Sequence, residues 1–325
     1  MEIQALPVPP TNTQVDGWWA VLVAASAADL PQLPAPTRLE VAGRLCVAPA
    51  RGRAALWAAD GGQGVAGLLL FTDEANRHTA FLDVLTVRPD ARRQGVGTAL
   101  WERVREELLA QGRTSVGTIA DLGGPGQAFA ESLGFENVLP MAWYTQDVPP
   151  GPAGPGPGQS AVPATPGYEL RSWHGLVHDD WADAVAMAHG AMEDAPMGDV
   201  DEKIESWTAE RLHAAHRLIL DRGGELTTVA AVTAAGEVAA YTELVLPDPG
   251  GARALQYDTV VVPAHRGHGL GRAVKLRMRE LAARRYPALR QIATTVADEN
   301  TPMRTVNEAL GYRRERAAAY YQLKL

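Results

Sequence analysis

Two stretches of this chain, Arg92-Arg93-Gln94-Gly95-Val96-Gly97 and Arg266-Gly267-His268-Gly269-Leu270-Gly271, share the spacing Arg-x-x-Gly-x-Gly. Each follows a β-branched apolar run that ends at a proline, Pro89 in the first copy and Pro263 in the second. Each continues into a stretch with the apolar spacing of an amphipathic helix. A strand, a tight glycine turn and a helix start together present free N–H groups, which suit a pyrophosphate. The repeat therefore predicts a duplicated phosphate-binding domain.

A segment rich in proline and glycine divides the chain near its middle. Residues 148–167 read VPPGPAGPGPGQSAVPATPG, in which 12 residues are Pro or Gly. This composition disfavours both helix and strand, so it predicts a linker. The sequence therefore predicts one domain over residues 1–147 and a second over residues 168–325.

The two halves align with each other across this linker. Pro89 and Pro263 lie 174 residues apart, as do the matching arginines and glycines of the two loops. Leu133-Gly134-Phe135 and Leu310-Gly311-Tyr312 lie 177 residues apart, which indicates one small insertion. A repeat of this length indicates a tandem domain rather than a solenoid.

The predicted order of elements is similar in the two halves. In the first half, the pattern predicts strands over 54–59, 65–71, 79–87, 115–120 and 135–145, and helices over 15–28, 96–108 and 127–133. In the second half, it predicts strands over 168–172, 226–233, 238–246, 254–262, 291–296 and 318–323, and helices over 180–189, 201–215, 270–281 and 302–310. Each half is thus predicted to be an α+β domain, a mostly antiparallel mixed sheet flanked by helices.

The glycine loops differ from two common nucleotide-binding motifs. Neither has the three-glycine spacing GxGxxG, and no acidic ribose ligand follows at the expected distance. Neither ends in the Lys-Ser/Thr pair of a P-loop NTPase. The motifs therefore argue against nicotinamide and ATP as ligands.

The composition is that of a soluble globular protein, with 46% hydrophobic and 21% charged residues. A net charge of −8 argues against a broad nucleic-acid surface. A single cysteine excludes an internal disulfide and a cysteine metal cluster, and His213 and His216 have no evident partner ligand, so no metal is expected. No apolar run suits a membrane span, so the expected location is the cytoplasm, while the oligomeric state stays open.

The repeated loop between a strand and a helix, followed by Leu-Gly-aromatic, resembles the GNAT superfamily of N-acetyltransferases in both halves. The resemblance implies two tandem GNAT folds and direct acetyl transfer from acetyl-CoA to the amine of a small molecule. Acidic residues in the variable region between Met192 and His216 suit a cationic acceptor. These residues are Glu193, Asp194, Asp199, Asp201, Glu202 and Glu205.

The resemblance also implies the cofactor-binding residues. The loop amides would hold the pyrophosphate, and the preceding strand would offer backbone groups to the pantetheine; glycine permits the close approach. In the first half these residues are Leu85, Val87, Arg92, Arg93, Gln94, Gly95, Val96, Gly97 and Thr98. In the second half they are Thr259, Val261, Arg266, Gly267, His268, Gly269, Leu270, Gly271, Arg272 and Asn300.

Direct transfer needs a base for the amine and a proton for the departing thiolate. Glu243 is the first candidate for the base, because a carboxylate among apolar residues on a strand can have a raised pKa. Asp258, on the strand that enters the loop, is the second candidate, and Asp83 is the candidate of the first half.

GNAT enzymes usually supply the proton from a tyrosine seven residues beyond an asparagine. Asn300 matches the asparagine, but Asn307 stands at the tyrosine position. Tyr321, or its neighbour Tyr320, is the replacement candidate on the last strand, where alternation allows only one of them to face the cleft.

In the first half, Gly123 and Ala130 occupy the positions of the asparagine and the tyrosine. The second domain is therefore the predicted catalyst, and the first is predicted to bind CoA without efficient catalysis. Because the usual tyrosine is missing from both halves, a non-catalytic acyl-CoA sensor or scaffold is the alternative function.

Overall fold

The computed structural model of the protein describes residues 1–149, 165–194, 196–203 and 206–325. The chain forms two compact units, and neither is one continuous stretch. The first unit comprises Met1–Met141, Met197–Lys203 and Arg316–Leu325, and the second comprises Ala142–Pro196 and Ile204–Glu315. Most of the predicted linker, residues 150–164, lies outside the described residues, as does Glu205.

The helices and strands follow one another in the same order in the two units. The first unit contains β1 (Ile3–Leu6), α1 (Asn12–Asp29), α2 (Arg38–Cys46), β2 (Gly52–Ala59), β3 (Gly64–Phe71), β4 (Ala80–Val87), α3 (Val96–Ala110), β5 (Ser115–Asp121) and α4 (Pro125–Ser132). The residues of β6 (Glu136–Asp147) are divided between the units. The second unit contains β7 (Tyr168–His174), α5 (Asp179–His189), α6 (Ala209–Asp221), β8 (Glu225–Thr233), β9 (Val238–Leu246), β10 (Arg253–Val261), α7 (Leu270–Arg285), β11 (Gln291–Ala297) and α8 (Thr301–Ala309). Most of β12 (Arg313–Lys324) belongs to the first unit.

The sheet of the first unit has the strand order β1-β2-β3-β4-β5-β12. Its neighbours are antiparallel except for β4 and β5, which run parallel and pair only where Phe81 meets Gly117. Helix α3 packs its fully buried residues Leu100 and Val104 in the core that contains Trp57. A second core contains Val15 and Trp18 of α1. The sheet is therefore covered by helices.

The sheet of the second unit has the order β6-β11-β10-β9-β8-β7. Strands β10 and β11 run parallel and pair only over Arg253–Leu255 and Gln291–Ala293. Helix α7 packs with Leu244 and Ile292 in one core, whereas α5 and α6 share a different core with Tyr241. The predicted α+β class, with a mostly antiparallel sheet flanked by helices in each half, is confirmed.

Some predicted elements differ from the structure. The helix predicted over 201–215 is wrong at its start, because α6 begins at Ala209, where the Thr208 side chain accepts a hydrogen bond from the amide of Arg211. The prediction omitted β1 and α2. Helix α2 nevertheless carries a sequence signal, since Thr37 and Glu40 form a reciprocal capping box.

Candidate active site

The arginine that opens each glycine loop braces the preceding strand. Arg92 Nε donates to the carbonyl of Val87 over 3.1 Å, and Arg266 Nε donates to that of Val261 over 3.3 Å. Arg92 also forms two 2.7 Å hydrogen bonds with the carboxylate of Asp29. The matching bonds show that both loops use their first arginine to fix the turn.

The glycines then open each loop at a helix N-terminus. Gly95 (φ 85°) and Gly269 (φ 73°) are left-handed and form the N-caps of α3 and α7. A glycine cap has no side chain that could accept hydrogen bonds from the N–H groups of the first turn. An added Cβ at either glycine meets no described atom within 4 Å. Both helices therefore begin with main-chain N–H groups that no cap side chain covers, at Val96, Gly97 and Thr98 and at Leu270, Gly271 and Arg272.

The middle residues complete each turn. Arg93 (φ 61°) and Gly267 (φ 82°) are also left-handed, which produces the alternation of an anion-binding nest. Gln94 Nε2 donates to the carbonyl of Asp90 over 3.0 Å, and His268 Nδ1 lies 3.1 Å from the carbonyl of Arg266. These side chains therefore fold back on their own loops.

A cleft opens in the first unit where β4 and β5 diverge beyond their single pair. Its volume is 510 Å³, and its lining includes Leu85 from β4, Ile119 from β5 and Phe129 from α4. The cleft follows β4, the strand that leads to the first glycine loop. Apolar side chains and the carboxylates of Asp83 and Asp121 line it together.

The corresponding strand of the second unit is bulged. The pairing of β10 with β9 shifts between Gln256 and Thr259, so that two residues, Tyr257 and Asp258, lie opposite Glu243. Beyond the bulge, Thr259 and Val261 pair regularly with β9. Asn300 is the N-cap of α8, and its Oδ1 accepts from the amide of Met303 over 3.2 Å. The structure thus gives Asn300 a local capping role.

Glu243 lies beneath this bulge as half of a buried pair. Its side chain is 6% exposed, and that of His216 on α6 is 1% exposed. His216 Nε2 lies 2.7 Å from Glu243 Oε1. The carboxylate is therefore in contact with His216, which the sequence analysis considered only as a possible metal ligand.

Asp258 is more accessible than Glu243. A third of its side chain (32%) is exposed, and its Oδ2 lies 3.6 Å from His189 Nδ1. Burial of the remainder, together with the charge of Glu243, raises the pKa of Asp258 to about 7. A carboxyl group with that pKa is suited to accept a proton near neutral pH.

His189 and its neighbours complete this site. The Tyr241 hydroxyl oxygen lies 2.5 Å from His189 Nδ1, and the Trp207 ring lies 4.1 Å from the imidazole, centre to centre. Burial lowers the pKa of His189 to about 4, so the imidazole is neutral at pH 7. Burial, with the charges of Asp258 and Glu243, raises the pKa of Tyr241 well above its ordinary value. The site therefore combines two carboxyl groups with neutral aromatic groups.

Comparison with known proteins identifies the family. The sequence pattern of the Acetyltransferase (GNAT) family matches residues 26–135 and 191–312, more than half of the chain. The chain belongs to the GNAT acetyltransferase family. It is therefore an acyltransferase.

Two GNAT relatives are similar over most of the chain. Mycothiol acetyltransferase of Catenulispora acidiphila is 29% identical over 264 residues, which span 78% of this chain and 76% of that protein. The tandem GNAT protein from the clavulanic acid biosynthesis pathway, solved without acetyl-CoA, superposes with a TM-score of 0.80 and 28% identity, over 99% of this chain and 98% of that one. A GCN5-related N-acetyltransferase from Sphaerobacter thermophilus shares the fold, with a TM-score of 0.69, 16% identity, and coverage of 99% and 95%.

The structure separates the predicted catalytic residues of this GNAT protein. Glu243 and Asp258 belong to the second unit, whereas Tyr321 lies in the sheet of the first unit, opposite Thr118 of β5. The Tyr321 hydroxyl donates to Glu131 Oε1 over 3.0 Å. Tyr321 therefore does not join Glu243 and Asp258 within one unit.

The acidic residues predicted for the acceptor side are also divided. Asp199, Asp201 and Glu202 belong to the first unit, where Asp201 pairs with Lys324 and Glu202 pairs with Arg51. Two of these acidic side chains therefore have partners within the protein, and their charges can be explained without a cationic substrate.

The first unit keeps the GNAT loop but replaces the carboxylates. Pairing in the two sheets places Gly67 at the position of Glu243 and Val84 at that of Asp258. A Cβ added to Gly67 would lie 3.4 Å from the buried ring of Trp18. Asp83, the predicted base of this half, forms an ion pair with Arg44. In the first unit, the indole ring of Trp18 therefore lies at the position that corresponds to the side chain of Glu243 in the second unit.

Sequence reasoning missed His189, Tyr241 and the role of His216. Tyr241 carried a usable signal, since residues 241 and 243 of a strand lie on the same face. His189 and His216 come from helices α5 and α6, whose packing on the strand the sequence does not specify. Within the described ranges, no group of three or more His, Cys, Asp or Glu side chains could hold a metal ion. In the same ranges, no helix has the length and apolar character needed to cross a bilayer.

Proposed function

We propose that the protein is an acetyl-CoA-dependent N-acetyltransferase that acetylates a small amine in its second unit. The observation that carries this proposal is the pair of carboxyl groups of Asp258, on the strand β10 that leads to the second glycine loop, and of Glu243, on the neighbouring strand β9. The first unit, with Gly67 and Val84 at those positions, is proposed to bind CoA without transferring acetyl groups. The boundaries predicted from the linker, 1–147 and 168–325, remain part of this proposal.

The residues present fit acetyl-CoA. The loop amides of Gly267–Gly271 and of Arg93–Gly97 would donate hydrogen bonds to the diphosphate, assisted by the helix dipoles. The 510 Å³ cleft between the diverging strands of the first unit supports room for the pantetheine there, and the second unit is proposed to hold it in the same way. Backbone groups of Leu85–Val87 and of Thr259–Val261 would meet it at the strand edge. Acetyl-CoA would supply the acetyl group as an activated thioester.

Asp258 is the better placed of the two carboxyl groups to receive the proton of the amine. Its partial exposure lets an acceptor reach it, whereas Glu243 is closed off and bonded to His216. Burial, with a smaller contribution from the charge of Glu243, raises the pKa of Asp258, which makes Asp258 a stronger base than an ordinary aspartate. Glu243 is thus proposed to raise the pKa of the base, Asp258. The sequence alone favours Glu243 as the base itself.

The surroundings of Asp258 favour a small and cationic acceptor. Its carboxyl group, and the negative charge of Glu243 behind it, attract an ammonium group. The ring of Trp207, stacked on neutral His189, offers an aromatic face for a cation. The names of the two similar proteins, one a mycothiol acetyltransferase and one from clavulanic acid biosynthesis, support a small-molecule acceptor over a macromolecular one.

The test is release of free thiol from acetyl-CoA in the presence of a panel of small amines. Gly95→Trp and Gly269→Trp form a matched pair, because each places an indole in the open space of one loop and strains a left-handed position. Gly269→Trp should abolish thiol release, and Gly95→Trp should retain most of it.

Tight CoA binding without thiol release from any amine would favour the non-catalytic sensor. Loss of activity in Gly95→Trp alone would assign catalysis to the first unit and contradict the proposal.

A further inference from the structure

A buried polar pair lies in the largely apolar layer that α5 and α6 form with the sheet of the second unit. His216 on α6 and Glu243 on β9 expose 1% and 6% of their side chains, and His216 Nε2 lies 2.7 Å from Glu243 Oε1. Leu212, one turn before His216, and Tyr241, two residues before Glu243, belong to the apolar core of this layer. Among the described residues, no Lys or Arg pairs with Glu243, and His216 is its one hydrogen-bond partner. The charge of Glu243 therefore depends on His216.

The first unit shows that this layer of the fold does not need a polar pair. Gly67 takes the place of Glu243, and a Cβ added there would meet the ring of Trp18. Helix α2 contributes Val41 to the same apolar core as Trp18. An apolar layer avoids the unfavourable burial of a charge. The His216–Glu243 pair of the second unit therefore indicates a role other than stability.

The position of the proton in this pair follows from the other ring nitrogen of His216. Nδ1 is buried and has no hydrogen-bond partner among the described residues. A proton on Nδ1, in the imidazolium or in the other neutral tautomer, would be a buried donor without an acceptor, which is unfavourable. The geometry therefore favours a neutral imidazole that carries its proton on Nε2 and donates it to the Glu243 carboxylate.

A neutral donor holds a carboxylate without cancelling its charge, whereas an arginine or a lysine at position 216 would cancel it. Asp258 lies opposite Glu243 in the bulge of β10, and the charge of Glu243 is the second cause, after burial, of the raised pKa of Asp258. The other titratable groups described at this site are His189 on α5 and Tyr241 on β9, and both are neutral at pH 7. Among these groups, Glu243 is therefore the source of the charge that acts on Asp258.

We propose that His216 is a positioning residue for acetyl transfer, which donates from Nε2 as a neutral imidazole and so keeps the Glu243 carboxylate charged beneath Asp258. This inference rests on the proposed function. The step that it affects is the transfer of a proton from the acceptor amine to the Asp258 carboxylate. His216 and Glu243 take no part in bond making or breaking; they make Asp258 a stronger base for that proton.

The first test is ¹⁵N NMR of the wild-type protein at pH 7, because the shifts of the two ring nitrogens distinguish the imidazolium from both neutral tautomers. The chain has 8 histidines, so the His216 signals are assigned by their disappearance in His216→Gln. We expect a protonated Nε2 and a bare Nδ1. Protons on both nitrogens, or on Nδ1 alone, would overturn the proposal.

The second test is the pH profile of kcat/KM for thiol release, and in particular its acid limb, where Asp258 takes up a proton. In His216→Gln, a neutral amide N–H can still donate to Glu243, so the acid limb should stay at its wild-type position. In His216→Leu, the buried carboxylate has no donor, which favours its protonated form. The acid limb should then move to lower pH, as far as it moves in Glu243→Gln. An acid limb that stays in place in His216→Leu, or that moves equally in His216→Gln, would contradict the proposal.

His213 provides the matched control on the same helix. It is also buried and lies three residues before His216, but its Nε2 lies 2.8 Å from the backbone carbonyl oxygen of Val177 instead of a carboxylate. His213→Leu should therefore destabilise the protein without moving the acid limb. An equal movement in this variant would mean that the limb responds to loosening of α6, which would overturn the role of His216.

Failure of this inference can be distinguished from failure of the proposed function. Absence of thiol release by the wild-type protein with every amine would contradict the proposed function. An active wild-type protein with a protonated Nδ1 on His216 would contradict only the role of His216.

Discussion

The pH dependence of catalysis tests the roles of Asp258 and Glu243. With a pKa of about 7, roughly half of the Asp258 carboxyl groups are ionised at pH 7 and roughly a tenth at pH 6. If ionised Asp258 accepts the proton, kcat/KM should fall about tenfold per pH unit below pH 7 and level off above it. Asp258→Asn should reduce kcat/KM by about 10²–10⁴-fold without changing CoA affinity.

Glu243→Gln separates the two carboxyl groups. The amide retains a hydrogen-bond acceptor for His216 but removes the negative charge that, after burial, is the second cause of the raised pKa of Asp258. The acid limb of the profile should therefore move to lower pH, with activity retained. If Glu243 is itself the base, the same variant loses activity at every pH.

The assay measures thiol release from pH 5 to 9 for the wild type, Glu243→Gln and Asp258→Asn. All three proteins are given the same acceptor amine, so the ionisation of the amine affects the three profiles equally. An acid limb that stays in place in Glu243→Gln, or survives in Asp258→Asn, would refute this reasoning.

Three stability predictions test the packing. His216→Leu leaves the carboxylate of Glu243 buried without its partner. The free energy of unfolding, measured by urea denaturation, should therefore fall by about 3–5 kcal/mol. Leu100→Ala, at a fully buried position in the first unit, should lower the free energy of unfolding by about 2–5 kcal/mol, measured in the same way. A decrease of less than about 1 kcal/mol would contradict tight packing, because it would mean that the neighbouring side chains fill the cavity. Arg253→Met breaks the two hydrogen bonds to Glu315 at 2.7 and 2.8 Å and should lower Tm, whereas the double change to Met at both positions should largely restore it.

The sequence predicted the parts of the fold that are local. The loops Arg92–Gly97 and Arg266–Gly271 could be recognised because glycine, a preceding strand and a following helix are all adjacent in the chain. The burial of Leu100 and Val274 followed from helical periodicity in the same way. Local patterns of this kind are sufficient for the family and the α+β class.

The remaining features depend on pairing between distant residues. Tyr321 pairs with Thr118 of the other half, and nothing in either strand specifies that partner. Tyr321 was therefore predicted to serve the second half and lies in the first unit. His189 approaches Asp258 for the same kind of reason, since helix packing brings together residues 69 positions apart. Periodicity indicates which face of an element is buried but does not identify the element that covers it.

The central claim is that the second glycine loop holds the diphosphate of coenzyme A. A crystal structure of the protein with bound CoA tests it most directly. We expect diphosphate oxygens about 2.7–3.2 Å from backbone N–H groups within Gly267–Gly271, with the pantetheine running along Thr259–Val261. A diphosphate bound elsewhere, or loop amides covered by protein atoms in the complex, would contradict it.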